Sequence, residues 1–124
     1  MPGFLFIRVL LSATIVALTI STALAAEHAN GQYFSSNDVS IYYEQHGSGE
    51  PLLLLHGGLG HSGAWHKQLA ALSARFRVIL MDSRGHGRSG FDAAPITYAL
   101  MTEDVLALLD HLGIDRTHVI GWSD

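Results

Sequence analysis

Ser123 has the clearest potential for chemistry in this sequence, because of the residues around it. It lies in Gly121-Trp122-Ser123-Asp124, directly after the apolar run of residues 118–120. This order predicts a strand that enters the turn G-x-S-x-G, a nucleophile elbow in which a serine hydroxyl projects from the sheet edge toward a carbonyl carbon. A serine at a strand end is usually a simple turn former. Gly121 and an upstream glycine loop favour a nucleophilic role for Ser123 over that of a turn former.

Acyl transfer through a serine also requires N–H donors aimed at the oxygen that becomes negative in the tetrahedral intermediate. The N–H of Asp124 follows the nucleophile directly, and Gly58 lies in the loop after the apolar residues 52–55. We expect these two N–H groups to form an oxyanion hole. Glycine at position 58 would let a carbonyl oxygen approach the backbone closely. Trp122 is predicted either to form a pocket wall or to pack in the interior.

A second interpretation competes for the same residues, because residues 58–63 and 85–90 both match the dinucleotide motif G-x-G-x-x-G. The first match follows a predicted strand and opens a helix, and Asp82 then ends a strand at about the place of a ribose-binding carboxylate. Three features weaken this interpretation: a strand pair precedes the motif, a second glycine loop follows Asp82, and the last predicted strand ends in Gly-Trp-Ser. A dinucleotide-binding oxidoreductase remains the alternative.

The pattern of apolar residues predicts the elements that position these groups. Continuous apolar runs indicate strands buried on both faces, and apolar residues spaced by three and four indicate helices. The predicted strands cover residues 33–34, 39–44, 52–55, 77–81 and 118–120, and the predicted helices begin at Ser62 and after Thr97. Trp65 falls on the apolar stripe of the first helix, and Gly113 is expected to end the second. The fold class is α/β, with an antiparallel start and helices on both faces of the sheet.

Three motifs in register give the chain its resemblance to a known family. They are His56-Gly57-Gly58, Asp82-Ser83-Arg84-Gly85-His86-Gly87-Arg88-Ser89 and Gly121-Trp122-Ser123-Asp124. Together they resemble the α/β-hydrolase family, from about Tyr33 to the end of the chain. The resemblance implies an esterase-like hydrolase without a cofactor, acting on a small ester, lactone or related carbonyl substrate. A non-catalytic binding protein with this fold is a further alternative.

The resemblance also implies which parts are present. It implies an eight-stranded, mostly parallel sheet, of which this sequence would hold the first five strands, and a triad in the chain order Ser, Asp or Glu, His. Both partners of Ser123 are expected downstream of Asp124. We therefore expect the 124-residue chain to be inactive and to aggregate through its last strand.

Several conspicuous residues are predicted to have structural roles. His56 and His86 would order their loops through hydrogen bonds to nearby backbone. Asp82 and Arg84 would hold the glycine turn that contains Gly85, Gly87 and Ser89. The remaining members of this structural set are Gly57 and Gly121. His56, His61 and His66 recur every five residues, which is a poor helical spacing for metal ligands, so no metal site is predicted.

Composition indicates a globular protein and excludes some partners. The chain has 48% hydrophobic and 15% charged residues, a net charge of −4 and no basic cluster for nucleic acid. Residues 1–25 are predicted to be a signal peptide, because Arg8 precedes an uncharged stretch that ends in Ala23-Leu24-Ala25. Residues 26–124 would then form an exported N-terminal portion of the hydrolase domain. An uncleaved membrane anchor is the alternative.

Overall fold

The structure is a computed structural model that describes residues 30–123. The predicted signal peptide and Asp124 lie outside the described residues. The chain begins with a hairpin of β1 (Gly31–Ser36) and β2 (Val39–His46). The two residues between the strands, Asn37 and Asp38, have φ angles of 46° and 63°. Asn and Asp tolerate this left-handed region and suit a two-residue hairpin turn, so the predicted strand pair is confirmed.

Three further strands complete the sheet, which has the order β1-β2-β4-β3-β5. They are β3 (Glu50–Leu55), β4 (Phe76–Met81) and β5 (His118–Gly121). β3 is parallel to β4 and β5, but β2 is antiparallel to both β1 and β4. Among the described residues, four of the five strands therefore run in one direction and only β2 runs against them, so the sheet is mixed but mostly parallel, with the predicted antiparallel start. The reason is that the short connections from β1 to β2 and from β2 to β3 each reverse the chain.

The helices begin and end close to the predicted residues. A short 3-10 helix (Ser62–Trp65) leads into α1 (His66–Ser73), and α2 covers Tyr98–His111. The hydroxyl of Thr97 caps α2 by accepting a hydrogen bond of 3.2 Å from the Leu100 N–H. Gly113 has a φ of 65° just beyond the end of α2, where the left-handed conformation that ends many helices favours glycine.

Alternate residues of the central strands pack on opposite faces of the sheet. On one face, Leu53 and Ile79 join the cluster that contains Leu108 of α2. On the other face, Leu52 and Val78 pack with Trp65 and with partly buried side chains of α1. Helices therefore cover both faces, as predicted, and Trp65 belongs to the core.

The chain reverses its direction of travel across the sheet at β3. It passes from β3 to β4 on one side and then returns to β5 on the other. Leu55 pairs in register with both Met81 and Gly121, so the three parallel strands end at the same level. In α/β sheets, ligands bind beyond the carboxyl ends of the strands at such a reversal. This position predicts a site in the loops that follow Leu55, Met81 and Gly121.

β5 forms an edge of the sheet among residues 30–123, and its apolar side chains are exposed. Val119 is 55% and Ile120 is 40% exposed. An exposed apolar edge offers unpaired backbone groups to another chain. Within the same residues, no helix has the length and apolarity needed to cross a membrane.

The purified 124-residue chain is expected to self-associate through β5 at micromolar concentration. Lysine in place of Val119 should lower this association, because charge on an edge strand opposes strand pairing. Leu106→Lys is the matched control, since Leu106 is 56% exposed on α2, away from the edge. Sedimentation velocity would show fewer oligomers for V119K alone. Equal behaviour of the two variants would contradict the role of the edge.

Candidate active site

Ser123 follows β5 in an unusual backbone conformation. Its φ of 59° lies in the left-handed region, which costs a non-glycine residue about 1–2 kcal/mol. The Trp122 N–H donates to the Leu55 carbonyl at 3.1 Å, so pairing with β3 continues up to the residue before the serine. The turn is therefore held by the sheet. Strained residues held in this way are concentrated at functional sites, as a nucleophile elbow requires.

The structure gives Trp122 defined surroundings, but it shows no reason why position 121 must be glycine. Trp122 is 69% exposed and lies on the walls of two cavities, one shared with Ser123 and one of ≈ 290 Å³ that also contacts Ala64, Trp65 and Gln68. A Cβ on Gly121 would meet no heavy atom of the described residues within 4 Å. Among these residues, nothing explains the glycine by lack of space.

The loop after β3 forms a tight turn. The Gly60 N–H donates to the Gly57 carbonyl at 3.0 Å, and Leu59, the third residue of the turn, has a φ of 59°. This conformation corresponds to a type II turn. Gly58 is exposed, and its N–H has no hydrogen-bond acceptor among the described residues. Its N–H is thus available as the predicted oxyanion donor.

His56 connects the loop after β3 with the loop after β4. The Ser83 N–H donates to His56 Nε2 at 2.9 Å, and Nδ1 lies 2.8 Å from the Gly57 carbonyl oxygen. A backbone N–H can only donate and a carbonyl can only accept, so Nδ1 carries the proton. Both ring nitrogens are therefore engaged with backbone. These contacts link the two loops and leave no ring nitrogen to serve as a base for Ser123.

Asp82 is fully buried and holds two segments together. Its Oδ1 accepts from the Ser62 N–H at 2.6 Å and its Oδ2 from the Arg88 N–H at 2.8 Å. The Ser89 hydroxyl donates to the Asp82 carbonyl at 2.6 Å. The carboxylate thus joins the start of the 3-10 helix to the glycine turn. Burial and these two bonds make it inaccessible to a ribose.

The glycines of the second motif are explained by conformation and space. Gly85 and Gly87 have φ angles of 74° and 52°. A Cβ on Gly87 would also collide with Asp82 Oδ2. His86 Nδ1 donates to the Arg84 carbonyl at 3.0 Å and so stiffens the same turn.

Arg84 is buried with a partner that the sequence analysis missed. Its Nε and Nη2 donate to the two carboxylate oxygens of Asp104 at 2.9 and 2.7 Å. These hydrogen bonds raise the pKa of Arg84 above its usual value. Asp104 is fully buried and also accepts from the Ser36 hydroxyl at 2.6 Å. The sequence does indicate that Asp104 is buried, because this residue lies four positions before Leu108 and therefore falls on the apolar face of α2.

A cavity of ≈ 360 Å³ opens beside Ser123. One face of α2 lines it through residues spaced by three and four, and the ends of β3, β4 and β5 form the other walls. The lining residues are Leu55, His56, Met81, Ser83, Tyr98, Met101, Thr102, Val105, Gly121, Trp122 and Ser123. None carries a carboxylate, an ammonium or a guanidinium. Tyr98 is 69% exposed because its position at the start of α2 places it at this cavity.

A smaller cavity of ≈ 130 Å³ adjoins the first and reaches the loop after β3. It is lined by Gly57, Gly58 and His86, and it shares His56, Tyr98 and Met101 with the larger cavity. Ser123 and Gly58 thus lie on adjoining cavities. A further cavity of ≈ 320 Å³ lies at the opposite ends of the strands, near Glu50 and His118, where β3 and β5 begin.

The histidines that recur every five residues do not converge. His61 Nδ1 accepts from the Gly63 N–H at 3.1 Å, and His66 Nδ1 donates to the Gly63 carbonyl at 3.1 Å. Both rings serve the local turn. Within the described part of the chain, no three His, Asp or Glu side chains form a group that could hold a metal.

Comparison with known proteins identifies the family. The family model of the alpha/beta hydrolase fold matches residues 50–123, which include both loops and Ser123. The chain belongs to the alpha/beta hydrolase fold family.

Its relatives include several kinds of hydrolase. The protein named "Putative carbamate hydrolase RutD" from Azorhizobium caulinodans is 44% identical over 89 residues, or 72% of this chain and 34% of the relative. A solved hydrolase of Pseudomonas aeruginosa PA01 is 37% identical with a TM-score of 0.72, over 76% of this chain and 37% of that chain. The epoxide hydrolase CorEH is 36% identical with a TM-score of 0.71, over 73% and 32% of the two chains. This chain spans about a third of the length of these proteins.

Loss of the Asp104 carboxylate is expected to destabilise the protein strongly. Asp104→Ala leaves the buried Arg84 with only its longer contacts to Asp92 and to the Ser36 carbonyl, both at 3.4 Å, and removal of one partner of a buried ion pair costs about 3–5 kcal/mol. Glu103→Ala removes an exposed acid from the neighbouring position and should change the free energy of unfolding by about 0.5 kcal/mol or less. Urea denaturation measures both. Similar values for the two variants would show that the pair does not hold the loop.

Proposed function

We propose that the protein is a serine-nucleophile hydrolase that cleaves a small ester, lactone, thioester or related carbonyl substrate through an acyl-Ser123 intermediate. The observation that carries this proposal is the φ of 59° at Ser123, at the end of a strand that is in register with the strand before the oxyanion loop. Family membership supports a hydrolase in general.

In the proposed reaction, Ser123 Oγ attacks the substrate carbonyl carbon while a base removes its proton. The N–H groups of Gly58 and Asp124 stabilise the oxyanion, the leaving group departs with a proton, and water then hydrolyses the acyl-serine. We place the base and its orienting acid outside residues 30–123. Both ring nitrogens of His56 already bind backbone, and both oxygens of Asp82 accept backbone N–H groups.

A serine nucleophile favours carbonyl substrates over epoxides, although one relative is an epoxide hydrolase. Attack of a hydroxyl on an epoxide carbon would leave a serine ether, which has no carbonyl for water to attack. Attack on an ester or carbamate leaves an acyl-serine that water can hydrolyse. The identity of residue 123 therefore supports acyl chemistry.

The cavity beside Ser123 supports an uncharged acyl group. Its lining includes Leu55, Met81, Met101 and Val105, and no charged side chain among the described residues. A charged substrate group placed there would lose its hydration without gaining an ionic partner. The cavity of ≈ 360 Å³ lies at the small end of the range typical for ligand sites.

The two alternatives have weaker support. An oxidoreductase would need Asp82 to bind ribose, whereas that carboxylate is fully buried and engaged with Ser62 and Arg88. A non-catalytic binding protein would have no reason to hold a serine at a strained φ, but it would keep the fold and the cavity.

In the full-length protein, a fluorophosphonate probe is expected to label the enzyme, and Ser123→Ala should abolish the labelling. The reason is that the probe captures only an activated serine. Ser48→Ala is the control, because Ser48 is an exposed serine in the turn between β2 and β3 and its loss should leave labelling unchanged. Labelling that survives S123A, or binding of NAD without labelling, would rule out the proposed function.

A further proposal concerns Asp124, which lies outside the described residues. Its carboxylate could pair with the ammonium of an α-amino ester, or it could face the N-terminus of a following helix, which favours negative charge. The uncharged cavity favours the second arrangement. The ratio of kcat/KM for matched esters with and without an α-amino group should then stay the same in Asp124→Asn. If Asp124→Asn instead lowers the preference for the α-amino ester about tenfold, the Asp124 carboxylate determines substrate specificity.

A further inference from the structure

We propose that His56 is a positioning residue that aims the Gly58 N–H at the substrate oxygen. The proposal rests on the proposed function, because it concerns the oxyanion hole of that reaction. It depends on one peptide unit, the one that joins the Gly57 carbonyl to the Gly58 N–H.

Two hydrogen bonds converge on the oxygen of this peptide. His56 Nδ1 donates to it at 2.8 Å and the Gly60 N–H donates to it at 3.0 Å. A carbonyl oxygen has two lone pairs, so both are engaged. These bonds fix the direction of the Gly57 carbonyl from two sides.

The direction of the Gly58 N–H follows from that of the carbonyl. A trans peptide is planar, with the C=O and N–H groups pointing in opposite directions, and the described residues contain no cis peptide. Glycine on both sides leaves the φ and ψ angles of this segment otherwise free. The His56 ring therefore supplies rigidity that the Gly57-Gly58 backbone lacks, and the oxyanion donor is oriented before substrate binds.

The ring itself is fixed by the neighbouring strand. His56 is 8% exposed, and its Nε2 accepts the Ser83 N–H at 2.9 Å. Ser83 follows β4, whose end is in register with that of β3. The imidazole thus fixes the Gly57–Gly58 peptide, which follows β3, relative to the end of β4.

The space around this contact is reserved. A Cβ on Gly60 would lie 2.9 Å from the Gly57 oxygen and 3.2 Å from His56 Nδ1. Gly60 is not one of the glycines with a positive φ, so its backbone conformation is compatible with alanine. Any side chain at position 60 would instead press on the two atoms that orient the peptide.

The test separates the two bonds of His56 in the full-length protein. In His56→Asn, the side-chain amide can reach the position of Nδ1 and donate to Gly57, but it cannot reach Ser83. In His56→Gln, the amide oxygen can reach the position of Nε2 and accept from Ser83, while the bond to Gly57 is lost. Steady-state hydrolysis of a p-nitrophenyl ester gives kcat and KM for each variant, and thermal unfolding reports how far each one is destabilised.

We expect H56Q to lower kcat by about tenfold or more with little change in KM, because the oxyanion forms only in the transition state. H56N should retain clearly more of kcat than H56Q, whatever its loss of stability. Gly60→Ala should lower kcat in the same way as H56Q. Gly90→Ala is the control, since a Cβ there makes only ordinary contacts of 3.4 Å or more.

The outcomes distinguish this inference from the proposed function. Equal losses of kcat in H56N and H56Q, or losses that track the melting temperature alone, would show that His56 acts only as a structural residue. Unchanged kcat in H56Q would contradict the inference as well. In each of these cases, loss of turnover in Ser123→Ala would leave the proposed function intact, whereas turnover that survives S123A would overturn the proposed function itself.

Discussion

Leu55 pairs with Met81 on one side and with Gly121 on the other, and this alignment of strand ends determines where every functional group lies. Because the three strands are parallel and end at one level, their following loops meet along one edge of the sheet. Each loop supplies one part of the site. The loop after β3 carries Gly58, the loop after β4 carries the supports Asp82 and Arg84, and the turn after β5 carries Ser123, the proposed nucleophile. A shift of register by one residue would move these side chains to the wrong face.

Buried polar groups hold the loops in place once the strands have aligned them. Asp82 joins the start of the 3-10 helix to the glycine turn. Arg84 joins that turn to α2 through Asp104, and His56 joins the loop after β3 to Ser83. Each of these side chains lies in the interior with its hydrogen bonds made. A buried polar network of this kind gives a specific geometry when it is complete and is costly when one member is removed. The network explains how loops rich in glycine can hold a defined shape.

Local sequence patterns predicted the elements well. The apolar runs gave all five strands, the spacing of apolar residues gave both helices, and Thr97 and Gly113 gave the ends of α2. The fold family followed from three motifs in register. The sequence could not give the pairing of Arg84 with Asp104, since the two residues are 20 positions apart and only the packing of α2 brings them together. The opposite direction of β2 follows from the short connections on either side of it, each of which reverses the chain. The place of Tyr98 at a cavity also depends on tertiary packing.

The central claim is that Ser123 forms a covalent acyl-enzyme, and the acylated residue can be identified directly. The full-length protein would be mixed with a p-nitrophenyl ester, quenched in acid during the first turnover, digested and analysed by peptide mass spectrometry. The account predicts that the acyl mass lies on the peptide that follows Arg116 and that fragmentation assigns it to Ser123. An acyl group on another residue, or release of p-nitrophenol with no acylated peptide, would contradict it.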